Sequence, residues 1–241
     1  MPVDLPVLLV ALAVTFLATV VQGTIGIGLG MLSVPVLTLV DPVLTPVPQL
    51  LITVPLTLAM MNGERQAIEW KAVARVAAAR IPGIGIGIWL LTLADQRLLD
   101  GMIGLIVLVA VAVIASGITV HRNHTSEMVA GVVSGTTGTI SSIGGPPLAL
   151  LYRRDTGPSV RSNLAAIFFI GILMMVAARA VSGHVAGTDV VVAVWLLPMV
   201  AAGFLAARRL HGRIEGGPLR VGILALSALA GVGLVLRALI G

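Results

Sequence analysis

Eight apolar blocks make up most of this chain, at residues 5–40, 44–61, 72–93, 98–119, 128–152, 160–182, 188–206 and 218–240, and the polar connections between them run to only about ten residues. About 20 apolar helical residues cross the hydrocarbon core of a bilayer. Six of the blocks, of 18–23 residues, are sized for one crossing each. The first, of 36 residues, and the fifth, of 25, are interrupted by glycine and proline and do not read as single straight helices. Charged residues are 10% of the chain, against about 25% in soluble domains. That leaves too little polar surface to cover a water-soluble globule, so the expected fold class is an all-α polytopic membrane protein in contact with a lipid bilayer.

The net charge of +5 does not indicate a nucleic-acid partner, because the arginines fall in the connections, where they orient spans. The N-terminal stretch has Asp4 and no Lys or Arg ahead of its apolar run, so it reads as the first membrane segment rather than a cleaved leader. With no cysteine, disulfide, iron–sulfur and thiol chemistry are excluded. His121 and His124 lack companion ligands, and neither a metal nor a cofactor is expected.

The two irregular blocks are related to each other. A gapless shift of 112 residues lays the pattern AxVVxGTxG at Ala18–Gly26 on the same pattern at Ala130–Gly138, Pro35 on Pro147 and Pro46 on Pro158. The chain therefore reads as a duplication, with a first membrane repeat at 1–120 and a second at 121–241. Positive residues gather at 62–75 (Arg65, Lys71, Arg75), 120–127 (Arg122), 153–161 (Arg153, Arg154, Arg161) and 208–220 (Arg208, Arg209, Arg213, Arg220). Eight simple crossings would put some of these on opposite sides of the membrane. If blocks one and five enter and return as hairpins, all of them share one side. Each repeat is then a broken helix hairpin plus three transmembrane helices. Three crossings is an odd number, so the repeats are inverted, the arrangement of many secondary transporters.

A helix broken within the bilayer frees backbone groups that lipid cannot satisfy. It persists against protein or a wet cavity, where freed N–H groups at a half-helix start attract anions. Gly23, Gly26, Gly28 and Gly30, and Gly135, Gly138, Gly144 and Gly145, allow tight turns, while Pro35, Pro146 and Pro147 stop or restart helices. Gln22, Thr24 and Ser33 in one half, and Ser134, Thr136, Thr137, Ser141 and Ser142 in the other, are candidates to complete the hydrogen bonds of a small anionic substrate. The competing reading is close helix packing, which small and hydroxylated residues also serve in membranes. The GIGIG run at 83–87 is assigned to packing. Asn163 is a candidate for either capping or substrate contact. Charged groups are expected to be almost absent from the membrane interior, and Arg179 to snorkel from the end of its span. Without buried acid, base or nucleophile groups, an enzyme is disfavoured.

The broken segments GTIGIGLGMLSVPVL (23–37) and SGTTGTISSIGGPPLALLY (134–152) resemble the paired signatures of the TauE/SafE sulfite-exporter family. The resemblance covers essentially the whole chain. It implies a multi-pass permease of the inner (cytoplasmic) membrane for sulfur-containing anions such as sulfite, thiosulfate or organosulfonates. It also makes Gly23, Gly26, Gly30, Pro35, Gly135, Gly138, Gly144, Gly145, Pro146 and Pro147 the leading candidates for the transport site. A passive anion channel and an intramembrane lipid-modifying enzyme are the alternatives.

Overall fold

The computed structural model describes residues 3–63, 68–152, 158–210 and 217–240, and all regular structure among them is helical. Arg65, Arg153, Arg154 and Arg213, on which part of the topology argument rests, lie outside the described residues. The order is α1 (Leu5–Ile25), α2 (Leu29–Val40), a 3₁₀ turn (Pro42–Leu44), α3 (Val47–Gly63), α4 (Trp70–Leu93), α5 (Gln96–Ala115), α6 (His124–Ser141), α7 (Gly145–Leu151), α8 (Pro158–Val181), α9 (Gly187–Leu210) and α10 (Gly217–Ile240).

Seven helical segments are long and apolar enough to cross a membrane: α1, the 3₁₀ turn with α3, α4, α5, α8, α9 and α10. The count exceeds the expected six because α1, the first arm of the first broken block, is itself 21 residues long. Large apolar side chains such as Leu5, Trp89, Leu105 and Leu229 stand exposed on the outer faces, a surface suited to lipid and not to water.

Both irregular blocks break where glycine and hydroxyl residues cluster. The first break is residues 26–28: Gly26 closes α1 in the left-handed conformation (φ 93°), and Gly28 (φ 136°) precedes α2. Both positions lie in the region that glycine occupies without steric cost. The second break is residues 142–144, with Ser142 left-handed (φ 60°) at the end of α6. Pro146 sits in the first turn of α7, where its missing N–H costs nothing. Pro35, expected to stop or restart a helix, lies inside α2 and does neither.

The packing partners recur with an offset of five helices. α1 packs on α9 and α6 on α4, α3 on α9 and α8 on α4, and α2 on α10 and α7 on α5, while α3 meets α8 and α5 meets α10. Glycine sets the closest approaches. An added Cβ at Gly83 would lie 2.2 Å from the Val132 carbonyl, and one at Gly87 would lie 2.7 Å from Thr139 Cβ. The GIGIG run is thus the contact surface between α4 and α6, as small residues four apart on a helix allow.

Candidate anion site between the two helix breaks

A cavity of about 280 Å³ opens between the two breaks, touched by Gly28 and Gly30 on one side and by Ser142, Gly144 and Gly145 on the other. The breaks meet each other here, since a Cβ on Gly30 would lie 2.4 Å from the Ser142 carbonyl oxygen. In the 112-residue register Gly30 is the counterpart of Ser142.

The group that dominates the cavity is one the sequence reading passed over. Arg80, the eleventh residue of α4, is fully buried and lines the cavity. At 1.5 Å of rise per residue it stands about 15 Å along the helix, near mid-depth of a core about 30 Å thick. The expectation that the membrane interior is almost free of charge is therefore corrected. Nη1 donates to the Ile167 carbonyl (3.0 Å) and Nη2 to Ser134 Oγ (2.6 Å). Ser134 in turn donates to the Gly144 carbonyl at 2.5 Å, tying the guanidinium to the second break. The Phe168 ring centroid lies 5.7 Å away, a cation–π distance. Among the described residues no acidic side chain pairs with Arg80, and none of them offers an acceptor to its Nε–H. A buried cation without a counter-charge is costly, and an anion in the cavity would supply that charge.

The model of the sulfite exporter TauE/SafE family matches residues 11–234. The chain belongs to the TauE/SafE family. No curated protein and no solved structure matches it.

In this TauE/SafE member, six of the predicted site residues reach the cavity: Gln22, Gly30, Ser142, Gly144, Gly145 and Pro146. Gln22 Oε1 accepts the first N–H of α2, from Leu29, at 2.9 Å. Ser134 acts one step back, through Arg80 and Gly144. The other hydroxyls bond to backbone, an arrangement that satisfies a hydroxyl in apolar surroundings without any ligand. Thr24 donates to the carbonyls of Val20 and Val21, Thr137 to Val133, and Ser141 to Thr137. Thr136 lies within bonding distance of the Gly83 and Val132 carbonyls, and Ser33 of the Leu29 carbonyl and Gln49 Oε1.

The remaining glycines serve packing. A Cβ on Gly23 would lie 2.6 Å from Ala207 Cβ, one on Gly135 2.7 Å from the Arg80 carbonyl, and one on Gly138 2.8 Å from Met175 Sδ. Gly26 closes α1 beside Leu164. Pro35 is buried within α2. Pro147 faces a separate, almost wholly apolar groove formed by α5, α6 and α7. Asn163 is away from the cavity, accepting from the Glu69 backbone N–H at 2.7 Å.

Arg179 does not snorkel. It is buried and donates to the carbonyls of Thr139 (2.8 Å from Nε) and Ile140 (3.1 Å from Nη2). These are among the carbonyls that the end of α6 leaves without helical partners. The ends of α4, α6 and α8 are joined by a charged cluster beside Tyr152, itself a cavity residue. Arg122 pairs with Glu69 (2.5 Å) and Glu127 (3.0 Å), Arg75 pairs with Glu127 (2.6 Å), and Arg122 lies 4.8 Å from the Tyr152 ring centroid. Burial works against the charge on Arg122, but the carboxylates of Glu69 and Glu127 outweigh it and hold its pKa above the ordinary value.

Proposed function

We propose that this TauE/SafE member is a permease that moves a small sulfur-containing oxyanion across the cytoplasmic membrane by alternating access, with Arg80 as the binding cation. The observation that carries this reading is the buried Arg80 guanidinium, free of any acidic partner among the described residues and lining a cavity between two helix breaks. Family membership supports the transport of sulfur anions. In a low-dielectric site a guanidinium offers planar, multidentate hydrogen bonding to an oxyanion.

The two halves act as inverted repeats that rock about the cavity. Two features favour this. The packing partners recur with an offset of five helices, and Gly30 touches Ser142, its counterpart in the register. A residue meets its own symmetry mate only near a two-fold axis, which is where such carriers bind substrate. The arginine-bearing connections face the cytoplasm.

Counterflow in proteoliposomes tests the proposal. Vesicles loaded with unlabelled sulfite or thiosulfate should accumulate the labelled anion, saturably, and Arg80→Gln should abolish the exchange. A non-saturating anion conductance would contradict the carrier and favour a channel.

A further inference from the structure

Pro146 and Pro147 put two residues without a backbone N–H into the first turn of α7, where N–H groups otherwise have no helical partner. Both line the groove formed by α5, α6 and α7, so these positions add no unpaired donor to its wall, as contact with lipid requires. The two hydroxyls on the groove are turned to backbone. Ser126 lies within bonding distance of the His121 and Asn123 carbonyls (2.9 and 3.0 Å), and Thr137 donates to Val133 (3.0 Å). Every other lining side chain is hydrocarbon. Leu105 and Val109 of α5 and Val129 and Val133 of α6 are exposed on the outer face, so the groove opens sideways onto the bilayer.

Its dimensions select the occupant. Along α6 the groove runs from Ser126 to Thr137, about 16 Å at 1.5 Å of rise per residue. Ser126 lies in the first turn of α6, and Thr137 lies one turn beyond Ser134, which bonds the mid-depth Arg80. The groove thus follows a single leaflet, about half of a 30 Å core. Its volume of about 430 Å³, at about one water volume of 30 Å³ per carbon, holds about 14 carbons. A helix from a second copy, about 10–12 Å across, would use that volume in about one turn.

Ile143, Pro146 and Leu150 line both this groove and the cavity between the breaks. α7 is therefore the partition between the two, and it packs on α5 and α6, the helices that form the groove. Seven residues are too few for a helix to stand on its own hydrogen bonds. We infer that the groove holds an acyl chain of a phospholipid from the cytoplasmic leaflet, and that this chain completes the packing of α7 and so holds the Gly144–Gly145 break in place. The choice of leaflet follows from the proposed orientation of the arginine-bearing connections. The lipid site itself is independent of the transported ion.

Native mass spectrometry and melting of the purified full-length protein test it, in a steroid detergent whose rings do not enter so narrow a groove. The probe is phosphatidylglycerol with octanoyl, decanoyl, dodecanoyl, tetradecanoyl or hexadecanoyl chains. A single phospholipid should be retained, and the melting temperature should rise with chain length while each added carbon finds wall to pack against, then level off near tetradecanoyl. Val109→Trp and Val133→Trp, which fill the groove from its two sides, should each lose the retained lipid and the chain-length response without melting below lipid-free wild type. Leu229→Trp, on the exposed face of α10, should keep both. With ditetradecanoyl lipid bound, amide exchange at 148–151 should slow about ten-fold.

Equal lipid retention in all three tryptophan variants, or no retained lipid in wild type, would overturn the site. A dimer that Val109→Trp and Val133→Trp dissociate would assign the groove to a second copy instead. A retained lipid with unchanged exchange at 148–151 would overturn the support of α7. None of these readouts involves anion transport, so each failure leaves the permease reading standing.

Discussion

Gly171 leaves the space that the Arg80 guanidinium occupies: a β-carbon at position 171 would lie 1.4 Å from Nη1 and 2.6 Å from Cζ. The two residues sit on α8 and α4, 91 positions apart in sequence. The buried cation therefore depends on the absence of a side chain on the facing helix.

Gly171→Ala should displace Arg80 while leaving its charge in the protein. Overpacking of this kind costs about 1–3 kcal/mol. The variant should insert, melt at a lower temperature and lose most of its anion-dependent stabilisation. Wild-type anion affinity in Gly171→Ala would mean that the position of Arg80 does not determine binding.

The adjacent glycines of the second break should behave differently. A Cβ on Gly144 would lie 2.9 Å from Ser134 Oγ and 3.0 Å from the Ser134 carbonyl, whereas one on Gly145 meets nothing closer than 3.6 Å. Gly144→Ala should disturb the Ser134 link to Arg80 and abolish transport. Gly145→Ala should melt within a few degrees of wild type and only narrow the cavity, while the bulkier Gly145→Val should block transport. Transport rates and melting curves of the three variants check this.

Glu127 is buried between Arg75 and Arg122. Glu127→Gln would remove the counter-charge of Arg75 and one of the two carboxylates on Arg122, which keeps Glu69. The arginines are partly exposed, so the loss should be about 1–3 kcal/mol, below the full cost of breaking a buried pair. In a chain of this size that lowers the melting temperature by several degrees. An unchanged melting curve would mean that the cluster does not stabilise the fold.

The absence of native cysteine allows the topology to be tested by single-cysteine labelling. The proposed inverted hairpins place Gln96 and Ser182 on one side of the membrane and His124 on the other. An impermeant thiol reagent added outside intact cells should label Gln96→Cys and Ser182→Cys and spare His124→Cys. Eight simple crossings would instead put position 182 with position 124.

The apolar blocks, the two breaks and the packing role of the GIGIG run were legible because each depends on residues close in sequence. Gly26 and Ser142 mark the breaks within their own segments. Arg80 was missed because its depth depends on where α4 begins. With Trp70 as the first residue, Arg80 falls at mid-span, whereas beside Arg75 and ahead of Pro82 it passes for one of a group of interfacial arginines. The available signal was an arginine eleven residues into a 24-residue apolar helix, which in a membrane marks a functional candidate. Whether a hydroxyl faces a ligand or bonds back to its own helix, as Thr24 and Ser141 do, is set by rotamer and tertiary contact, which a glycine-rich motif does not encode. Gly171 was invisible for the same reason, since the group it accommodates comes from another helix.

If the buried Arg80 holds the transported anion, wild-type protein and Arg80→Gln must differ in how their melting temperatures respond to sulfur anions at matched ionic strength. A ligand at a hundred times its Kd stabilises the folded state by about 2.7 kcal/mol, a shift of several degrees in a chain of this size. That shift is expected in wild type, and none in Arg80→Gln that remains folded. An equal shift in both proteins would mean that the anion is held elsewhere than at Arg80.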